Sequence, residues 1–186
     1  MATAYVRPAR PDDAAEIGRL QLATWRYAYR RILPREVLAG MDETWMTHRW
    51  RTSIENPPSP RHRVLVAVEQ AEQAYLVGFA ATGEADETAL APDEDPSALL
   101  RPDIAAITDL LVEPRWGRRG HGSRLLAACT DLWREDGFTT ALAWAFEADT
   151  TYRGFLTSAG WELDGAARDL DVNGMLVTQL RLHTAL

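Results

Sequence analysis

The fifteen residues VEPRWGRRGHGSRLL (Val112–Leu126) constrain the fold of this chain more than any other stretch. They join an apolar, strand-like run, AAITDLLV (105–112), to a segment in which Leu125, Leu126, Cys129, Leu132 and Trp133 recur at helical spacing. Three glycines and four arginines occupy the connection and its immediate flanks. Strand, glycine-rich turn and helix together form a recipe for holding an anion. The first turn of a helix leaves backbone N–H groups without partners. Glycine lets ligand atoms approach that backbone, and the helix dipole favours negative charge. Arg118, Arg119 and Arg124 add positive charge. Two familiar phosphate loops are excluded. No Gly-Lys-Ser/Thr follows, and glycines at 117, 120 and 122 do not have the GxGxxG spacing.

The cationic loop contrasts with an acidic body. Net charge is −7 over 186 residues, which disfavours general nucleic-acid binding and suits cationic partners. The length fits a single domain, 1–186, with a substantial core. No apolar run is long enough to cross a bilayer, and MATAYVRPARPDD lacks a secretory apolar core. Cys129 is the only cysteine and lies on a helical stripe, which makes it an apolar filler. The four histidines show no metal spacing, so no metal is expected. These features predict a soluble, cytoplasmic protein with no membrane or nucleic-acid partner.

Along the chain, AYVRPA reads as a first strand and RPDDAAEIGRL as a helix start, with Pro11, Asp12 and Asp13 suited to the first turn. Pro34 divides the aromatic, arginine-rich block that follows into two helical pieces. After the NPPSP loop, HRVLVAVE (62–69) and AYLVGFAAT (74–82) read as an antiparallel pair. GEADETALAPDEDPS (83–97) is acidic and non-periodic, and reads as a loop or mobile flap. A helix from Ser123 stops at Gly137, FTTALAWAF (138–146) is a strand, and Asp149 and Gly160 bracket another helix. The tail forms a terminal hairpin. Mixed strands and helices in this order predict one α/β or α+β sandwich.

LLVEPRWGRRGHGSRLL resembles motif A of the GCN5-related N-acetyltransferases, where a strand, a proline and a Q/R-x-x-G-x-G/A loop open a helix. WRYAYRRILPREVL resembles the W-x-x-A-Y-x-x-I-L-P segment of bacterial members, and FLTSAGW resembles their FYxxxGF. The resemblance implies a mixed, mostly antiparallel sheet of about seven strands, flanked by about four helices and splayed beside an acyl-CoA site. It implies acetyl-CoA as cofactor, with its pyrophosphate cradled by Gly117, Arg118, Arg119, Gly120, His121, Gly122 and Ser123. Leu111 and Val112 would offer backbone groups to the pantetheine and acetyl carbonyl, and Asp149 and Phe155 would border the cofactor.

The implied reaction is transfer of an acetyl group to an amine of a small molecule or protein by direct attack, in a monomer or homodimer. Asp109 and Glu147 are candidate bases, as is Glu84 on the acceptor side. Trp25, Tyr29 and Trp144 are candidate walls of the acceptor pocket. The chain departs from the family pattern at three places. Gly117 stands where Gln or Arg is usual. Leu156 replaces the tyrosine that donates a proton to the leaving thiolate, leaving Tyr152, one turn earlier, as the substitute. Thr108 holds the position of a family carboxylate, with Asp109 beside it; strand alternation sends the two to opposite faces unless a bulge intervenes. A non-catalytic acyl-CoA-binding module and an ATP-binding protein are the rival readings.

Overall fold

Alternation of apolar side chains builds seven strands into one sheet, and helical stripes cover both of its faces. The computed structural model describes residues 3–99 and 101–186; Met1 and Ala2, the start of the stretch lacking a secretory core, lie outside them. The strands are β1 (Thr3–Pro8), β2 (Arg63–Gln70), β3 (Ala74–Glu84), β4 (Ile104–Val112), β5 (Thr140–Phe146), β6 (Glu162–Val172) and β7 (Met175–Ala185). Their order is β1-β2-β3-β4-β5-β7-β6, antiparallel throughout except for the parallel pair β4–β5. Four helices of nine or more residues flank it: α1 (Ala14–Ala28), α3 (Glu43–Glu55), α5 (His121–Glu135) and α6 (Thr150–Ser158). Two short ones, α2 (Arg35–Gly40) and α4 (Pro96–Leu99), complete the set among the described residues. No described helix is long and apolar enough to cross a membrane.

One core layer lies between α5, α6 and the sheet. Leu125, Cys129, Trp133 and Leu156 pack there on Ala105, Ile107, Ala141 and Ala143. The Trp133 indole N–H donates to Thr82 Oγ1 at 2.8 Å, and that hydroxyl donates to the Ala106 carbonyl at 2.7 Å, so both of these buried polar groups are satisfied. Burial pushes the Cys129 thiol up to about 12, in keeping with a packing role. On the opposite face Ile17 and Leu20 of α1 and Trp50 of α3 cover Val66 and Phe79.

Three sequence expectations change. The block around Pro34 forms three helical pieces, not two, because Asp42 caps α3 by accepting from the Trp45 N–H at 2.6 Å and ends α2 just before it. The acidic segment is not a free flap. Gly83 and Glu84 belong to β3, and Ala89 is buried against Ile104, Ala106 and Leu142. Glu94 grips Arg181 of β7 with both carboxylate oxygens, at 2.6 and 2.8 Å. The reason is long-range: Glu94 is paired with an arginine almost ninety residues away. The helix expected from Ser123 begins two residues earlier, at His121.

Candidate active site

The parallel pairing of β4 and β5 ends at Ile107 and Ala143. Beyond it the strands part, so the β5-facing edge of Thr108–Val112 has no strand partner and a V opens in the middle of the sheet. The glycine stretch lies at one side of this V and α1 at the other.

A bulge decides what faces the V. Ala81 pairs with Asp109 but the adjacent Thr82 pairs with Ile107, leaving Thr108 as the extra residue. Ile107 and Leu110 therefore both point to the α5 layer, whereas Asp109 turns to α1 beside Thr108. Gln21 of α1, fully buried, donates from Nε2 to Asp109 Oδ1 at 2.9 Å. Gln21 Oε1 accepts from the Trp50 indole at 2.7 Å, which fixes the amide's orientation. Burial pushes the Asp109 carboxyl up to about 6; the Arg49 charge and the Thr108 hydroxyl oppose the shift only in part. A carboxylate near neutrality, held by one oxygen only, suits proton abstraction.

On the other side, a 3-10 turn (Pro114–Trp116) carries the chain out of β4, and Gly117 ends it. Arg118 and Gly120 adopt left-handed conformations, with φ of 63° and 80°. Gly120 is the N-cap of α5. The N–H groups of Arg118 through Ser123 find no backbone acceptor among the described residues. Gly122 faces the ring of Phe155 and the side chain of Val112; a Cβ there would lie 3.4 Å from the ring. The side chains of the loop do different work. Arg119 lies 4.8 Å over the Trp116 ring and reaches Glu69 at 3.3 Å. His121 is buried, its Nε2 2.8 Å from Glu69 Oε2. Arg124 Nη1 donates to the Arg119 carbonyl at 3.0 Å. The loop is thus braced through Glu69 of β2, and its amides stay available.

The candidate proton donor sits between the two sides. Asp149 caps α6 by accepting from the Tyr152 N–H at 2.9 Å. Tyr29 and Tyr152 both have hydroxyl pKa values raised chiefly by burial, with the carboxylates of Asp109 and Asp149 adding to the rise. Tyr152 therefore keeps its proton at neutral pH. Leu156 is fully buried in the α5 layer, so the position of the family tyrosine packs the core. Glu147 lies exposed at the end of β5, where its backbone N–H donates to the Thr178 carbonyl and its own carbonyl accepts from Arg153.

The acceptor-side residues separate into groups. Trp25 and Tyr29 meet with their rings tilted by 47° and centroids 6.0 Å apart, and Tyr29 meets Phe146 edge-on at 5.0 Å. Glu84 is engaged elsewhere. It pairs with Arg61 at 3.1 Å and accepts from Ser59, three register positions along β3 from the residue opposite Asp109. Trp144 borders a cavity of about 130 Å³ at the base of the V, shared with Thr88, Ala106, Thr108, Arg168 and Gln179. Its indole N–H donates to the Ala89 carbonyl at 3.2 Å. Gln21, Arg168 and Gln179 were missed by sequence reasoning. Gln21 reads as one polar residue in a helix, and its role follows only from a contact 88 residues along the chain.

A seven-stranded sheet thus parts between its parallel strands, with a glycine-opened helix beside the gap. The sequence model of the Acetyltransferase (GNAT) family matches residues 21–161, and the chain belongs to that family. The chain is similar to an uncharacterized N-acetyltransferase, YuaI, of Bacillus subtilis, with 25% identity over 142 residues, covering 76% of this chain and 71% of that one. Its fold is similar to that of the PaiA N-acetyltransferase from Thermoplasma acidophilum in complex with coenzyme A. There the TM-score is 0.69 and the identity 14%, over 99% of both chains. It is also similar to YncA of Salmonella typhimurium, a putative acetyltransferase with acetyl-CoA, at a TM-score of 0.67 and 16% identity, covering 98% of this chain and 94% of that one.

Proposed function

We propose that the protein is an acetyl-CoA-dependent N-acetyltransferase acting on a primary amine by direct attack. The observation that carries this is the row of unpaired N–H groups at Arg118–Ser123, opening α5 beside the free edge of β4. These amides fit a diphosphate. The approach of Gly122 to Val112 and Phe155 fits an extended chain running from the loop into the V, along Leu111 and Val112. The solved relatives whose structures hold coenzyme A or acetyl-CoA share the fold that creates this arrangement.

Acetyl-CoA supplies an activated acyl group: the amine nitrogen forms the new C–N bond as the C–S bond breaks and the thiolate leaves. The chain's residues do the rest. Asp109 takes the proton that the acceptor ammonium must lose, its carboxyl being poised near 6 and steadied by Gln21. Tyr152 keeps its proton at neutral pH, gives it to the thiolate and takes in its place the second proton that the nitrogen sheds as the amide forms. The N–H groups near Val112 polarise the carbonyl, and the two sides of the V align the reactants. Such alignment is worth up to about 7–11 kcal/mol of barrier. Glu147 serves as the alternative base only through water, since it lies exposed at the end of β5.

Calorimetric titration with coenzyme A and with ATP tests the binding half of the proposal. Micromolar binding of coenzyme A and none of ATP is the expected result; the reverse defeats it. Thiol release from acetyl-CoA across a panel of amines tests the catalytic half. Tight coenzyme A binding without turnover on any amine would reduce the protein to an acyl-CoA-binding module, the reading that the buried Leu156 favours.

A further inference from the structure

The cavity at the base of the V is not lined as an acidic protein's amine pocket should be. The only charged side chain among its lining residues is a cation, Arg168 of β6. Its guanidinium stacks 4.2 Å over the Trp144 ring. Nε donates to Gln179 Oε1 at 2.8 Å and Nη1 donates to the Thr88 carbonyl at 2.6 Å, so the plane is fixed by two neutral acceptors. No carboxylate pairs with it among the described residues. The adjacent Arg181 makes a useful contrast. It takes the bidentate Glu94 and also Asp164, at 2.6 Å, and so is fully neutralised. Two arginines lie near one tryptophan, one saturated with carboxylates and the other left without any.

Leaving a half-buried guanidinium unpaired is costly. Burial and the like charge of Arg181 both depress its pKa, and no acidic neighbour offsets them. An anion arriving in the cavity would recover that energy. The free N–H groups on Nη1 and Nη2 form the fork that matches a carboxylate in two-point contact. Thr108 also lines the cavity, and the bulge turns the next residue, Asp109, to the same face, so an amine held beside Thr108 would approach the base. A volume of about 130 Å³ is close to the cavity of about 150 Å³ that admits benzene, which limits the occupant to a small molecule.

We propose that the acceptor is a small amino acid-like compound whose carboxylate is bound by Arg168 over Trp144 while its amine lies at Thr108 and Asp109. The proposal rests on the N-acetyltransferase reading and deepens it by naming the substrate class. Arg168 is a specificity-determining residue, and the acidic character of the chain as a whole does not select the acceptor.

The test separates acceptor binding from turnover. The indole N–H resonance of Trp144, assigned with a Trp144→Phe variant, is followed by NMR in protein saturated with coenzyme A. The titrants are α-amino acids, each with its carboxamide and its decarboxylated amine. At least one amino acid should shift the resonance with an affinity tenfold or more above its two neutral-ended partners. Arg168→Gln should abolish that preference and Arg168→Lys should restore part of it, because charge remains while the fork is lost. In the acetyl-transfer assay the kcat/KM ratio of acid to carboxamide should fall at least tenfold in Arg168→Gln, through KM. Equal binding of acids and carboxamides, or a preference untouched in Arg168→Gln, overturns the proposal. So does a preference for the decarboxylated amine. A separate coenzyme A titration reports on the underlying reading, and the Trp144 titration is repeated without coenzyme A, so the carboxylate response is scored whether or not that cofactor binds.

Discussion

The two sides of the V are built on different principles. The loop side is one contiguous stretch whose useful atoms are backbone N–H groups; its side chains mostly brace it, as Arg119 and His121 do through Glu69. The α1 side is assembled from side chains of five elements: Gln21 from α1, Trp50 from α3, Asp109 from β4, Trp144 from β5 and Arg168 from β6. A loop of this kind tolerates change at any position where backbone geometry survives, which is how Gly117 can stand where Gln or Arg is usual. The opposite side tolerates little, because each atom there was placed by a distant residue. Substitutions should therefore act on cofactor affinity at the loop and on turnover at Asp109, with little crossover.

The largest effect is expected at Asp109. Asp109→Asn keeps an oxygen to accept from Gln21 but cannot take a proton. Its kcat/KM should fall about 10²–10⁴-fold. Coenzyme A affinity, measured by calorimetry, should stay within about twofold. The wild-type kcat/KM should rise with pH up to about 6, where the Asp109 carboxyl titrates, and the variant should lose that limb. A large loss of cofactor affinity in Asp109→Asn would break the division between the two sides.

The same residue gives a stability prediction of fixed sign. Burial raises the folded carboxyl from 3.8 to about 6. Between those values the native chain holds a proton that the unfolded chain has shed, so stability falls as pH rises through this window and is level above it. The cost above pH 6 amounts to at most about 3 kcal/mol. Urea denaturation should show Asp109→Asn more stable than wild type at pH 7.5, with the difference shrinking towards pH 4. A variant that gained nothing at pH 7.5 would mean that Gln21 and Thr108 already compensate for burial of the charge.

On the loop side, Gly120→Val forces a β-branched residue into φ of 80°. The strain, about 1–2 kcal/mol, falls on the N-cap of α5, where the amides must converge. Coenzyme A affinity should weaken about tenfold, while the pH limb near 6 persists in the residual activity.

What the sequence revealed follows the same division. The loop, the Asp149 cap, and Gly137 and Gly160, both with positive φ, are local: each depends on residues a few positions apart. The Thr108 bulge, which turns Asp109 towards Gln21, has no local signal, because it is a mismatch in pairing with β3. The sequence alone could state only that a bulge would bring Thr108 and Asp109 to one face. The acidic segment misled for a related reason. Its composition reads as solvated, yet Arg181, on the last strand, anchors Glu94, and the Ala89 carbonyl accepts from both Arg181 and Trp144. Asp42 was local and overlooked, since an aspartate three residues before Trp45 is a recognisable cap.

The smallest effect sharpens the comparison most, because it asks whether the loop uses side chains at all. Arg119 is committed to Trp116 and Glu69, and Arg124 to the loop's own carbonyl. Arg118 is exposed and makes no ion pair among the described residues. If amides carry the diphosphate, Arg118→Ala should weaken coenzyme A binding only about two- to fivefold, the range of an exposed charge contact. That increment should vanish in high salt, where an exposed pair is screened. Dephospho-coenzyme A, which keeps the diphosphate but lacks the ribose phosphate, tells which phosphate Arg118 serves: the same loss with both ligands assigns it to the diphosphate. A loss of a hundredfold or more, persisting in salt, would instead make Arg118 the functional replacement for the residue absent at Gly117, and the loop would then depend on a side chain as the α1 side does.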